Sequence, residues 1–414
     1  MNQTSSKQVI RTYLTLTLFN TLAASLIWGV NTLFLLDAGL TIAQAFIANA
    51  FFTVGMVLFE IPTGVVADSR GRRLSYMLGV ITLAVSTLAY LIMWITTGPF
   101  IGWVIASLAL GLGFTFFSGA TEAWLVDALK FTKFKGQLES VFGKAQIVGG
   151  IAMLSGSVLG GVIAQFSNLG VPYYVRIALL LVTFIIAFKF MRDLGFMPEK
   201  ADSYRKQVRQ LLRQSIKFGL NNPPVRWVML SAPFISGVSI YVFYALQPYL
   251  LGLYGDSTAY WVAGLTAAVV AASQIVGGIF APIVRKLFKK RTTLLLYGTC
   301  ISALALIAMG FVANFYLVLG LIVLWGLIGA ALMPVRQAYM NSLIPSNQRA
   351  TVLSFDSLLG SGGGVVSQPL LGRSADVWGY GTSYVISGVI QLGALPFLAL
   401  ANRLHVLSDK KTSQ

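Results

Sequence analysis

Twelve apolar runs, each about 20 residues long, fill most of this 414-residue chain. They lie near 13–36, 43–66, 74–97, 100–126, 142–166, 172–191, 225–252, 258–284, 292–312, 315–336, 350–373 and 380–402. A helix of that length crosses the hydrocarbon core of a bilayer. Strands of a membrane barrel would instead show alternating segments of about ten residues. Only 10% of the residues are charged, against about 25% in a typical soluble domain. The runs therefore predict an all-α membrane protein with twelve transmembrane helices.

The net charge is +17, which raises nucleic acid as a partner. The distribution argues against it. If the chain crosses twelve times, all 30 Lys and Arg except Arg176 and Arg373 fall on one side. That asymmetry is a topology signal. It places the basic side, with both termini, in the cytoplasm. Lys7 and Arg11 precede the first run without a small-residue cleavage site, so that run reads as a retained span. Cys300 is the only cysteine and His405 the only histidine, which excludes an internal disulfide and a cysteine-based metal site. His405 is assigned no role.

Residues 1–191 and 225–414 each hold six spans, and 192–224 join them. In the joining segment Tyr204, Val208, Leu211, Leu212 and Ile216 share one helical face, with basic residues elsewhere. That pattern suits a helix on the anionic inner leaflet or one resting on its own protein. The two halves look duplicated. Gly64-Val-Val-Ala-Asp68 recurs as Gly278-Ile-Phe-Ala-Pro282, offset by 214 residues. Ser155-Gly-Ser-Val-Leu-Gly-Gly161 recurs as Ser367-Gln-Pro-Leu-Leu-Gly-Arg373, offset by 212. Two matches at nearly one offset predict pseudo-symmetric six-helix bundles, a pattern found in secondary transporters.

Between spans 2 and 3 stands Gly64-x-x-x-Asp68-x-x-Gly71-Arg72-Arg73. This stretch, at that place in a twelve-span chain, resembles the loop signature of the major facilitator superfamily. The resemblance covers the whole chain in architecture and a few short motifs in residues. It implies two bundles rocking about a central site. It also implies a cytoplasmic gate in which the loop acid caps a helix of the other half and the arginines bridge to acids on span 4. Gly156-Ser157-Val-Leu-Gly160-Gly161 in span 5 resembles a drug-antiporter motif, with Ser157 where those members have proline. Span 4 has Ser107 where such members carry a membrane arginine, so a proton relay through that arginine is not expected.

The residues themselves supply candidates. Asp68 at the inner interface fits a helix-N-terminal cap near Arg349, acting either as a gate or as a permanent staple. Ser107, Gly111, Thr115, Ser118 and Glu122, spaced 4, 4, 3 and 4, fall on one face of span 4, a polar or small stripe that puts Glu122 toward the cavity. Asp127 falls on another face and is expected to hold Arg72 or Arg73. At the 214 offset Glu122 corresponds to Arg336; the two pair across the inner mouth, or each pairs within its own half. Glu60 lies on the stripe Asn49, Thr53, Val57 of span 2. A membrane-embedded acid is costly unless paired or protonated, so Glu60 is a proton-site candidate beside Glu122. The alternative is a structural acid bonded to the stripe Asp356, Gly360, Gly363, Ser367 of span 11. Asp356 and Lys144 correspond at the 212 offset and read as interface charges. Asn20, Trp28 and Asn31 on span 1, Tyr244 and Gln247 on span 7, Gln274 on span 8 and Trp325 on span 10 either line a cavity or pack helices.

No phosphate-binding loop, metal-ligand cluster or nucleophile elbow occurs, so no cofactor and no enzymatic reaction are expected. The reading is a proton-coupled carrier of the bacterial cytoplasmic membrane, exporting a hydrophobic compound or drug. Uptake of a sugar or organic acid, and a non-transporting sensor or scaffold on a transporter fold, are the alternatives. The expected partners are a small-molecule substrate, protons and the lipid bilayer, with no nucleic acid, and the chain is read as a monomer.

Overall fold

The structure is a computed structural model that describes residues 5–198, 204–345, 348–404, 406 and 409. His405 lies outside them. The helices are α1 Ser6–Trp28, α2 Asn31–Asp37, α3 Ile42–Arg70, α4 Arg72–Ile95, α5 Phe100–Thr115, α6 Ala120–Phe131, α7 Leu138–Phe166 and α8 Val171–Phe190. The chain continues with α9 Tyr204–Ser215, α10 Pro223–Tyr254, α11 Tyr260–Lys286, α12 Arg291–Phe311, α13 Phe315–Leu343, α14 Arg349–Leu392 and α15 Leu395–Arg403. No strand occurs among the described residues.

Ten helical segments are long and apolar enough to cross a membrane, eleven if α1 and α2 count as one bent span, and twelve when the last segment is divided at Gly379. In a bilayer every backbone N–H and C=O must be satisfied within the protein, which a helix does segment by segment. The first crossing is bent by 48° between α1 and α2, at Gly29 and Val30. The fourth crossing is also broken: Phe116–Gly119 leave the helix between α5 and α6, and Gly119 takes a left-handed φ of 67°. Crossings 11 and 12 run together in α14 but part at Gly379, whose φ of 81° and ψ of 164° are not helical. Prolines 233, 248, 282, 334 and 369 lie inside helices, a use that membrane packing tolerates. The joining segment holds α9, with Lys206, Arg209, Leu212 and Arg213 exposed, and then a wider π turn over Ile216–Leu220.

The chain forms two compact units. Unit 1 is Met1–Leu40, Phe51–Tyr204 and Thr258–Ala268; unit 2 is Thr41–Ala50, Arg205–Ser257 and Val269–Gln414. Two helices therefore contribute to both: the start of α3 belongs to unit 2, and the start of α11 to unit 1.

Unit 1 is built around aromatic rings and close glycine contacts. Phe34 stacks on Tyr173 with centroids 4.0 Å apart, and Tyr90 bonds Ser107 at 2.6 Å. Gly156 and Gly160 bring α7 against α1, where a Cβ would overlap Ser25 Oγ and the Leu26 carbonyl. The Ser25 hydroxyl donates to the Ala152 carbonyl at 3.1 Å across the same seam. Unit 2 has its own core, in which Tyr241, Tyr249, Tyr384 and Trp325 are buried.

Candidate functional site

The turn between α3 and α4 is built around Gly71. Its φ of 112° is a conformation that side-chain-bearing residues rarely adopt. A Cβ there would also overlap Asp193 Oδ2. Asp193 accepts the Arg73 backbone N–H at 2.9 Å and so caps the first turn of α4. Asp68 pairs with Arg72 across the turn. Arg73 donates to the Phe188 carbonyl at 2.6 Å and lies 5.1 Å over the Phe188 ring. Burial pushes the Asp193 carboxyl above its usual range; the Arg73 N–H and the charges of Arg73 and Arg72 offset this only in part.

One expectation changes here. Asp127 holds neither arginine, because Arg72 is committed to Asp68 and Arg73 to the α8 carbonyl. Asp127 instead offers its backbone to the bed of the 191–197 loop: a Cβ on Gly195 would sit 2.9 Å from the Asp127 carbonyl oxygen. Trp124 ties the same loop down by donating to the Arg192 carbonyl at 2.7 Å. Gly64, in turn, meets nothing within 4 Å of a built Cβ, and neither does its mate Gly278. Neither glycine mediates a close approach in this conformation.

The break in the fourth crossing reorganises its polar stripe. Ser107, Gly111 and Thr115 lie on α5, whereas Glu122 lies on α6 and Ser118 in the gap. The five residues are therefore not one helical face. Ser107 is fully buried, bonded to Tyr90 and to the Trp103 carbonyl. Gly111 packs on α3, where a Cβ would sit 2.8 Å from the Met56 nitrogen. Thr115 donates back to Leu112 at 2.8 Å. Ser118 is released from the helix and donates to Glu60 Oε1 at 2.5 Å. Glu60 thus finds its partner on the fourth crossing, within unit 1. Glu122 is exposed in the first turn of α6, where a helix N-terminus favours a carboxylate.

In unit 2, Arg336 on α13 grips Asp356 on α14 through two bonds of 2.5 and 2.6 Å, and donates to the Val228 carbonyl at 3.2 Å. Of the two arrangements expected for Arg336, this is the same-half one. Lys144 is exposed on α7 and has no part in this pair.

The softer candidates divide. Asn31 is buried and accepts from the Tyr173 hydroxyl at 3.1 Å. Gln247 and Trp325 are buried in the packing of unit 2. Tyr244 stands edge-on to Phe243. Asn20 and Trp28 are partly exposed and Gln274 is exposed.

One acid outside the candidate set has a defined task. Asp376 accepts the N–H groups of Ile42 and Ala43, both at 2.8 Å. The signal was in the sequence, since Thr41-Ile-Ala-Gln44 is a capping box that leaves those two N–H groups unsatisfied. Thr41 and Gln44 do bond reciprocally, at 3.0 and 3.2 Å.

Known proteins share this architecture. A family model described as Major Facilitator Superfamily matches residues 13–308 and 286–413. An uncharacterized MFS-type transporter, YxaM of Bacillus subtilis (strain 168), is 21% identical over 386 residues, 90% of each chain. The nucleoside transporter NupG superposes with a TM-score of 0.75 at 12% identity, covering 97% of this chain and 99% of that one. A bacterial homolog of the human lysosomal transporter Spinster, inward-facing and unoccupied, gives 0.74 at 16% identity over 100% of both chains. A D-xylose–proton symporter gives 0.67 at 17% identity, over 95% of this chain and 96% of that one. With ten to eleven apolar helical segments long enough to cross a membrane, the Gly71 turn at its expected place and a family model that spans nearly the whole chain, the chain belongs to the Major Facilitator Superfamily.

Proposed function

We propose that this member of the superfamily is a proton-coupled carrier of a small molecule in a bacterial cytoplasmic membrane, with both termini inside. The observation that carries the coupling is the bond between Glu60 and Ser118. An ionised acid in an apolar helix is expensive, and proton uptake relieves the cost. Here the acid's partner is a hydroxyl in the broken segment of the fourth crossing, where the backbone can change its arrangement without melting a helix. Protonation of Glu60 lets its carboxyl act as a donor and loosens the bond that fixes the break. Glu122, three residues beyond Gly119, responds to the same rearrangement. Asp68 has a second partner in this cycle, gained when the basic side closes and the Arg72 pair gives way. Gly64 and Gly278 fill their open space at the same step.

Export of a hydrophobic compound is the direction we favour. The glycines of the span 5 motif are the ones that press α7 onto α1, so the part of the motif this chain retains is in structural use. Related folds that move nucleosides, or D-xylose with protons, keep uptake of a polar solute as the competing direction.

Proteoliposomes with a pH-sensitive dye inside test the coupling. A transported compound should move protons with the wild type, and Glu60→Gln should uncouple proton movement from solute flux. Unchanged coupling in Glu60→Gln and in Glu122→Gln would remove both acids from the proton path.

A further inference from the structure

A groove of about 420 Å³ opens in unit 1 between α1 and α7. Its rim carries Lys7, Arg11 and Lys144, and its floor is aliphatic, with Leu14, Leu18 and Val148. No acid lines it. The groove exists because the two helices diverge. Gly160 and Gly156 hold them in direct contact, but a Cβ on Gly149, two turns earlier on the same seam, is 3.8 Å from its nearest neighbour, Thr17. Beyond that, Tyr13 and Phe142 meet edge-on across the seam, with centroids 6.4 Å apart.

The end of α1 that carries the cations is anchored. Ser6 donates to Thr132 Oγ1 at 2.9 Å, which anchors the start of α1 and brings the segment of Lys130 and Lys133 to the same end. The groove follows α1 from Lys7 to Leu18, about 16 Å at 1.5 Å per residue. That length matches one leaflet of a hydrocarbon core about 30 Å thick. Ile147 and Ile151, beside the groove on α7, are more than half exposed, so the floor continues into an apolar surface.

We infer that this groove is a binding site for an anionic phospholipid of the inner leaflet. The phosphate sits among Lys7, Arg11 and Lys144, and an acyl chain lies along Leu14, Leu18 and Val148. Charge complementarity selects the head, and the acid-free aliphatic floor selects a chain over a free anion. Basic pockets between membrane helices on the inner side recognise such headgroups. The inference rests on the proposed orientation, with the basic side inward. Its readout is lipid binding and not transport, so the two can fail separately.

The test uses purified full-length protein and two probes, phosphatidylglycerol and phosphatidylcholine, read by native mass spectrometry and by the lipid-induced shift in Tm. The wild type should retain phosphatidylglycerol preferentially. The triple variant Lys7→Gln, Arg11→Gln, Lys144→Gln should lower that preference by about a hundredfold, and Lys7→Arg with Lys144→Arg should preserve it. Leu14→Trp fills the groove, leaves the cations in place and should also reduce retention, which covers a triple variant that fails to fold. Equal phosphatidylglycerol binding in the triple variant and the wild type would overturn the site. So would its displacement by chainless glycerol phosphate at matching concentration, which would mark a site for free anions.

Discussion

Asp376 holds the backbone N–H of Ile42 at 2.8 Å, and with it the first turn of α3. The second carboxylate oxygen takes Ala43, and Thr41 and Gln44 satisfy each other. Every N–H of that turn is therefore bonded, in a segment that belongs to unit 2 while the rest of α3 belongs to unit 1. Asp376→Ala should remove about 0.5–2 kcal/mol of this capping. Hydrogen exchange of the 42–43 amides should accelerate several-fold, and Asp376→Asn should restore most of the protection. Exchange unaffected by Asp376→Ala would mean that the turn is held by the capping box alone.

The pair of Arg336 and Asp356 invites a double-mutant cycle. Asp356 is 6% exposed and cannot take its charge to water. Asp356→Leu alone leaves the guanidinium, and Arg336→Met alone the carboxylate, without a charged partner, and each should destabilise unit 2 by about 3–5 kcal/mol, Asp356→Leu nearer the lower figure because Arg336 keeps some access to solvent. Replacing both with apolar residues, Arg336→Met and Asp356→Leu, should recover much of that loss. A double variant as unstable as the sum of the singles would show that the two residues act separately. Thermal unfolding in detergent reads all four species.

Asp193 gives a pH signature with an unusual sign. Its folded carboxyl is raised by burial, so the folded state binds a proton more tightly than the unfolded chain does. The group therefore opposes folding above its folded-state pKa. This penalty fades as pH falls through that value toward the ordinary carboxylate range. Asp193→Asn keeps an acceptor for Arg73 and should flatten this acid-side change in Tm. Asp193→Ala loses the cap as well and should lower Tm at every pH. A wild type and an Asn variant with parallel Tm–pH curves would contradict the assignment.

The fold was legible because membrane helices announce themselves by length and charge sidedness, both of which survive in a single sequence. The Gly71 turn was legible for a similar reason: Gly between charged residues at a span end has few other uses. The site was less so. The polar stripe from Ser107 to Glu122 failed because helical spacing carries no sign of a left-handed residue, and Gly119 is one glycine among 41. Asp127 was a reasonable partner for the arginines by proximity along span 4. Asp68 and the Phe188 carbonyl take the two arginines instead, and Asp193 caps the turn from across a loop, contacts that no local pattern encodes. Arg336 and Asp356 were both singled out, but their bond joins residues 20 positions apart on two helices, which a pseudo-symmetric offset does not reveal.

Gly264 sits in a close backbone contact of α11 with α7 and α1. A Cβ built on Gly161 of α7 would lie 2.8 Å from the Gly264 Cα, and one on Gly29 would lie 2.9 Å from it. Conversely, a Cβ on Gly264 would sit 2.7 Å from the Ser157 carbonyl oxygen, with backbone in the way and no flexible side chain to yield. The start of α11 can dock on α7 and α1 only while position 264 is bare. Gly264→Ala should weaken this docking, and Gly264→Val should abolish it, at about 1–3 kcal/mol if the helices must part. A carrier that must dock and undock here should then lose turnover in the order wild type, Ala, Val, while Gly264→Val exposes the buried positions Val262 and Ala263 to labelling once each is replaced by cysteine. Wild-type turnover in Gly264→Val, with both cysteines still protected, would show that α11 does not need to close on α7 during transport.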